Sequence, residues 1–252
     1  MLETARDGTT MVLTLNNPAK RNALSAPLRE GLLEAFLRLE KDRELRAAVI
    51  IGAGGHFCSG GDIDSMNQST DLAAGRERFR GVHELTRLMI RGTKPVVAAV
   101  EGWAVGAGLG LALAADTVVA TPDARFRAGF PRIGLIADFG LLHTLPARIG
   151  PARARQFLLY DEVVDAERAG RIGLIDETVP SGELLGRALA LAGHFSQLAP
   201  LATAQTRAAL SWGLDKVLDW ERDTQAALLQ TADHVEGRAA FLERRKPNFS
   251  GR

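Results

Sequence analysis

Pro95-Val96-Val97-Ala98-Ala99-Val100-Glu101-Gly102, followed three residues later by Gly106-Ala107-Gly108-Leu109-Gly110-Leu111-Ala112-Leu113-Ala114-Ala115-Asp116, decides how this chain is read. Val96 to Val100 is a short, β-branched apolar run, Glu101-Gly102 breaks it, and Leu109 to Ala115 is a compact apolar segment of good helix formers. The pattern predicts strand, turn and buried helix. At the start of that helix the first backbone N–H groups have no partner inside the helix, and Gly106-Ala107-Gly108 has almost no side chain to hold a ligand away. Such a place can donate hydrogen bonds to a carbonyl oxygen that gains negative charge. Taken alone, the same small residues also suit close packing of helix on sheet, and glycine-rich turns are common in α/β folds. A dinucleotide fingerprint is set aside, because Gly106, Gly108 and Gly110 stand at alternate positions far from the N-terminus.

The same logic occurs upstream. Thr10 to Leu15 reads as a strand ended by Asn16-Asn17-Pro18, and Lys20 to Ser25 is a basic loop. A helix is predicted from about Pro27 to Lys41, with Ser25 or Ala26 near its cap and Leu28, Leu32, Leu33, Phe36 and Leu37 on one face. Ala47 to Ile51 is a second buried strand, which runs into Gly52-Ala53-Gly54-Gly55-His56-Phe57-Cys58-Ser59-Gly60-Gly61-Asp62. Two small-residue loops after successive strands of one sheet could each aim one N–H at a single point. A plain flexible connection is the alternative for the second loop. Residues 63–92 read as helical with polar interruptions, and His83-Glu84 there suits a solvated face or contact with a bound acyl chain.

The whole chain bounds these readings. Its 252 residues can bury a large core, and 46% hydrophobic with 24% charged residues is ordinary for a globular protein. A net charge of +1 points to no nucleic acid and no anionic membrane partner. The lone cysteine, Cys58, excludes an internal disulfide and a cysteine-based metal site, and a reducing, cytoplasmic setting is the simplest inference. Glu3, Arg6 and Asp7 interrupt any apolar run at the N-terminus, which therefore reads as neither a secretory signal nor a membrane span.

Beyond the central helix, Asp116 to Ala120 is a third strand and Phe126 to Pro131 reads as short and irregular. Ile133-Gly134-Leu135-Ile136-Ala137-Asp138-Phe139-Gly140 then precedes a predicted helix from Leu141 to Ile149. Asp138 is the only carboxylate between Asp123 and Asp161. One use for it is an N-cap. The other is general acid/base chemistry, since a helix N-terminus shifts a carboxylate by under about one pKa unit whereas burial raises it by up to about 3–5. Pro151 to Leu159 is helical, Val163 to Ala169 opens another helix, and Gly173 to Val179 is turn and strand. From Glu183 on, helical periodicity runs through Leu184–Leu198, Ala199–Trp212, Val217–Gln230 and Gly237–Lys246, which suggests a helical appendage able to pack on a partner subunit.

Arg21-Asn22-Ala23-Leu24, the Phe57-to-Asp62 loop, Gly102 to Asp116, Ile133 to Gly140 and the tail from Glu236 to Pro247, in this order and spacing, resemble the crotonase superfamily, the enoyl-CoA hydratase/isomerase family. The resemblance runs from about Thr10 to Phe249. It implies an α/β spiral of ββα units with two roughly perpendicular sheets over residues 1–195, and a helical C-terminal region, 196–252, that assembles a homotrimer or, as a dimer of trimers, a homohexamer. It implies an acyl-CoA substrate and no cofactor beyond the CoA that the substrate carries. Carried over, the oxyanion hole is formed by the N–H groups of Gly61 and Ala107, and CoA is held around Arg21, Ala23 and Leu24. Phe241 and Arg244 lie near the adenosine end, contributed by a neighbouring subunit; solvated surface charge is the alternative for Arg244. Two departures matter. Family hydratases carry one glutamate where this chain has Gly110 and another where it has Phe130, whereas Asp138 stands where the family's isomerases carry their single acid/base. Ala137 replaces a usual proline and Leu141 a usual glycine beside that acid. The expected reaction is therefore a double-bond shift through an enolate. Other crotonase reactions (hydration, thioester hydrolysis or decarboxylation), with His143 assisting, and CoA binding without turnover are the alternatives.

Overall fold

The computed structural model describes residues 1–68 and 71–252. Its strands β1 (Leu2–Asp7), β2 (Thr10–Leu15), β3 (Ala47–Gly52), β4 (Val96–Val100), β6 (Thr117–Ala120) and β9 (Glu177–Thr178) form one sheet in the order β1-β2-β3-β4-β6-β9. β1 pairs antiparallel with β2, and every later pair in this sheet is parallel. A smaller sheet joins β5 (Trp103–Val105), β7 (Arg125–Arg127) and β8 (Val164–Asp165). Sequence reading placed β2, β3, β4 and β6 well. It assigned no strand to β1, whose side chains are mostly exposed and so carry no alternation. It also passed over β5, β7 and β8, which have only two or three residues each.

The central strands are apolar throughout because both faces of the sheet are covered. Ala48, Ile50, Val96, Ala98 and Val100 face the larger core. There they meet α1 (Ala26–Lys41), α2 (Leu72–Arg91) and α3 (Ala107–Leu113). Ala47, Val49, Val97, Ala99 and Val119 face α7 (Leu184–Ser196), which buries Leu184, Ala188 and Ala192 against them. Of the helical stretch predicted over 63–92, Ile63–Gln68 is a 3-10 helix and α2 begins at Leu72; residues 69 and 70 lie outside the described residues. α4 (Leu141–Ile149), α5 (Pro151–Tyr160) and α6 (Ala166–Ile172) lead to α7, and α8 (Pro200–Leu210), α9 (Leu214–Leu228) and α10 (Ala232–Leu242) complete the chain.

The boundary expected at 195/196 falls at the end of α7, and the helices beyond it pack on their own chain. Gly75 of α2 lets α9 approach so closely that a Cβ there would lie 2.9 Å from Ala226 Cβ. Arg207 of α8 is buried and donates to Asp116 Oδ1 at 2.8 Å and to the Met89 and Gly92 carbonyls. α10 lies on the 3-10 turn Pro131–Ile133, with His234 Nδ1 2.8 Å from the Ile133 carbonyl. Among the described residues, no helix is long and apolar enough to cross a membrane.

Candidate active site

Three short segments are laced together at the C-terminal ends of β3 and β4. Phe57 N–H donates to Glu101 O at 2.7 Å, Cys58 N–H to Trp103 O at 2.9 Å, and Val105 N–H returns to Cys58 O at 3.0 Å. On the other side Ser59 N–H donates to Arg21 O at 2.9 Å and Leu24 N–H to Gly60 O at 2.8 Å. Asn22 locks the arrangement: its Nδ2 donates to the Ala53 and His56 carbonyls at 2.9 and 2.7 Å, and its Oδ1 accepts from Asn17 N–H at 2.8 Å. The corner at Gly102 has φ 57°, and a Cβ there would lie 2.2 Å from the Gly55 carbonyl oxygen, so only glycine lets the chain cross between sheets at this point.

This lacing sets the two small-residue loops side by side. Gly60 packs against the turn before α3, where an added Cβ would be 2.8 Å from Val105 O and 3.7 Å from Ala107 N. The first hydrogen bond of α3 is from Gly110 N–H to Gly106 O at 3.0 Å, and the Gly61 and Ala107 amides have no backbone partner among the described residues. Gly61, Ala107 and Asp138 all line a cavity of about 130 Å³, and all three also line an adjoining inner cavity of about 30 Å³. Met66 and Leu135 are common to both.

Asp138 does not cap α4. That position is held by Gly140, in the left-handed region, and Asp138 contributes only its carbonyl, accepting from Leu141 N–H at 3.1 Å. Its Oδ1 is buried without a hydrogen-bond partner among the described residues. Burial foremost, and then the nearby Glu221, push its pKa well above the ordinary carboxylate value, while Arg78 and Arg29 pull the other way. The backbone beside it is unusual: Phe139 has φ 55° and Gly140 φ 68°. Two side chains of α9 brace this segment. Glu221 Oε2 accepts from Gly140 N–H at 3.0 Å; Gln225 donates to Ile136 O at 2.8 Å and accepts from Ile136 N–H at 3.3 Å.

Glu221 is itself met by His83 of α2, whose Nε2 lies 2.8 Å from Oε1, both residues being buried. Desolvation moves the two in opposite senses, His83 down to about 4 and Glu221 up to about 8, so burial favours the uncharged form of each. The solvated face expected for His83-Glu84 thus holds for Glu84 alone; His83 points into the core. His143 belongs to a different cavity, with Asp116 and Arg207, and does not line the one holding Asp138.

Of the residues proposed for CoA, Leu24 is buried and lines the inner cavity, and Phe241 lines the larger cavity of its own chain because α10 lies on residues 131–133. Ala23 is buried in the laced loop, while Arg21 and Arg244 are exposed and line neither cavity. Sequence reasoning gave His83 a solvated face or an acyl contact, not a buried one, and passed over Glu221 and Gln225, and over Arg29 and Arg78, which line the inner cavity. A signal was present for the first three. His83 falls on the apolar face of Phe79, Val82 and Thr86, and Glu221 and Gln225 stand four apart in line with Leu214 and Leu218.

The chain matches the family model described as Enoyl-CoA hydratase/isomerase over residues 5–252, and it belongs to that family. It is 40% identical over 250 residues to a Rhodobacter capsulatus protein named "Probable enoyl-CoA hydratase", covering 96% of this chain and 94% of the relative. It is 36% identical over 251 residues to the 1,2-epoxyphenylacetyl-CoA isomerase of Escherichia coli, covering 96% and 95%. The structure superposes with a TM-score of 0.88 on the crystal structure of an enoyl-CoA hydratase from Mycobacterium avium subsp. paratuberculosis, 32% identical, over 99% of this chain and 98% of the other. The α/β crotonase fold expected from the sequence is thereby established.

Proposed function

We propose that this enzyme shifts a double bond in an acyl-CoA by proton transfer, with Asp138 as its single acid/base. The observation that carries the reading is the buried Asp138 Oδ1, without a hydrogen-bond partner among the described residues, in one cavity with two amides that have no backbone partner. The Gly61 and Ala107 N–H groups hold the thioester oxygen. Asp138 takes the proton from C2 and the C–H electron pair forms the enolate, which those amides stabilise. The electrons then return to form the C2–C3 double bond, the C3–C4 double bond opens, and C4 takes the proton back from Asp138. A carboxyl held above its ordinary pKa is suited to both halves of this transfer. CoA runs outward past Arg21, Ala23 and Leu24 toward Phe241 and Arg244. Leu201, Leu210 and Trp212, exposed on and just beyond α8, suit burial between subunits in a trimer or a dimer of trimers. A cytoplasmic setting accords with the lone thiol, Cys58.

Hydration of a 2-enoyl-CoA is the second reading, favoured by the name of the Rhodobacter relative. Against it stand Gly110, where a Cβ would lie 2.6 Å from Phe139 Cβ and so leaves no room for a glutamate, and Phe130, an apolar side chain lining the cavity in which Asp138 is the one carboxylate. The test is Asp138→Asn, assayed with 3-enoyl- and 2-enoyl-CoA esters by mass spectrometry. The expected result is a loss of about 10²–10⁴-fold in isomerisation, with the acid limb of the pH–rate profile abolished. Undiminished isomerisation by the variant, or wild-type enzyme that adds water and moves no double bond, would overturn the proposal.

A further inference from the structure

Asp138 is not the only charged group in the inner cavity. Arg29 of α1 and Arg78 of α2 line it too, among Leu24, Phe79, Val82 and Leu229. Each guanidinium is steadied by neutral groups: Arg29 Nη1 donates to Leu24 O at 2.6 Å, and Arg78 donates to Ser65 O at 3.1 Å and Ser65 Oγ at 3.4 Å. Neither forms an ion pair among the described residues. A guanidinium carries five N–H donors, so most of those on both side chains are uncommitted.

Cations half-buried among leucine, phenylalanine and valine are costly to keep without an opposing charge. Desolvation acts on both, and takes Arg78 down to about 10. The charges facing them are few. Asp62 is engaged by Lys20 at 3.2 Å and Glu30 is exposed to solvent; neither they nor Glu221 line the cavity, whose one carboxylate is Asp138. When Asp138 takes a proton, two cations remain there and no anion. Space points the same way. About 30 Å³ holds roughly two water molecules, or the two oxygens of a carboxylate, and is far below the ~150 Å³ of a cavity that admits benzene.

We infer that the inner cavity, through Arg29 and Arg78, selects acyl groups whose far end carries a carboxylate. The inference rests on the acyl group entering beside Asp138, and names the class of substrate for that reading. A planar carboxylate matches the fork of a guanidinium and forms charge-assisted, two-point hydrogen bonds with it.

Affinity for unreactive saturated esters tests this without any turnover. Glutaryl-, adipoyl- and suberoyl-CoA are compared by calorimetry with pentanoyl-, hexanoyl- and octanoyl-CoA, on wild type, Arg78→Met, Arg29→Met and Arg78→Gln. At the length that fits, the wild type binds the carboxylate ester about ten- to a hundredfold more tightly than its methyl-ended counterpart. The preference falls to within about threefold in the arginine variants, which still bind the methyl-ended esters as the wild type does. Equal or weaker binding of the carboxylate esters at every length would overturn the inference. So would arginine variants that weaken both series alike, since the guanidiniums would then act on Asp138 and not on the ligand. Failure of the isomerase reading would appear separately, as absence of double-bond transfer on either type of 3-enoyl ester.

Discussion

Gly110→Ala separates two effects of opposite sign. In the interior of a helix, alanine in place of glycine stabilises by about 0.5–1 kcal/mol through backbone entropy. Here the new methyl would lie 2.6 Å from Phe139 Cβ and 2.9 Å from the Asp138 carbonyl oxygen, where carbon atoms in contact rest about 3.5–4.0 Å apart. The obstructing atoms are backbone and Cβ, so no distant rotamer change relieves them; the 138–139 segment must move by about 1 Å or α3 must tilt. Overpacking of this kind costs about 1–3 kcal/mol; at its middle value of about 2 kcal/mol it outweighs the entropic gain and leaves a net loss of about 1–1.5 kcal/mol. In a chain of 252 residues that lowers Tm by about 2–6 °C. The expected consequence for catalysis is larger, because displacing the proposed acid/base, Asp138, by about 1 Å can cost about 10²-fold. Differential scanning fluorimetry and kcat/KM for a 3-enoyl-CoA read the two effects. An unchanged or raised Tm with wild-type turnover would refute the reasoning, for it would mean that the Asp138 segment does not depend on the absence of a side chain at 110.

The His83–Glu221 pair gives stability a definite pH dependence. Glu221 has a folded pKa of about 8 against an ordinary 4.5, so between these values the folded chain holds a proton that the unfolded chain has released, and stability falls as pH rises. His83, at about 4 against 6.5, removes stability as pH falls through that window. The two slopes oppose below about pH 6.5, so within this pair only the Glu221 slope remains from about pH 6.5 to 8; Asp138, also raised, adds a slope of the same sign in both proteins, so Tm should fall there in the wild type and less steeply in Glu221→Gln, and equal slopes would count against an uncharged, buried Glu221. Asn22→Ala should lower Tm by at least about 6 °C, since it strips partners from three half-buried backbone groups at about 1 kcal/mol or more each. A crystal structure of that variant with the 17–24 and 53–61 loops unmoved would show that the clasp is dispensable.

Much of this architecture is written locally. The β-branched run Val96–Val100, the breaks at Gly52 and Gly102 and the 3.6-residue periodicity of α1 are decided by neighbours in sequence, so they are legible there, as are both small-residue loops and the isolation of Asp138. Strands β5, β7 and β8 are not, because two or three residues cannot establish a period and exist as strands only by pairing with one another. The state of Asp138 is likewise a tertiary matter. Its carboxyl lines a cavity instead of capping α4, and the Gly140 amide beside it is taken by Glu221, 81 residues further along the chain. Desolvation, and the gathering of Arg29, Arg78 and Asp138 around one small space, come from packing three distant elements together. Sequence alone determined which groups are available for chemistry; only the folded chain decided which of them lost their water and their partners, and those losses are what make a carboxyl or a guanidinium reactive toward a ligand.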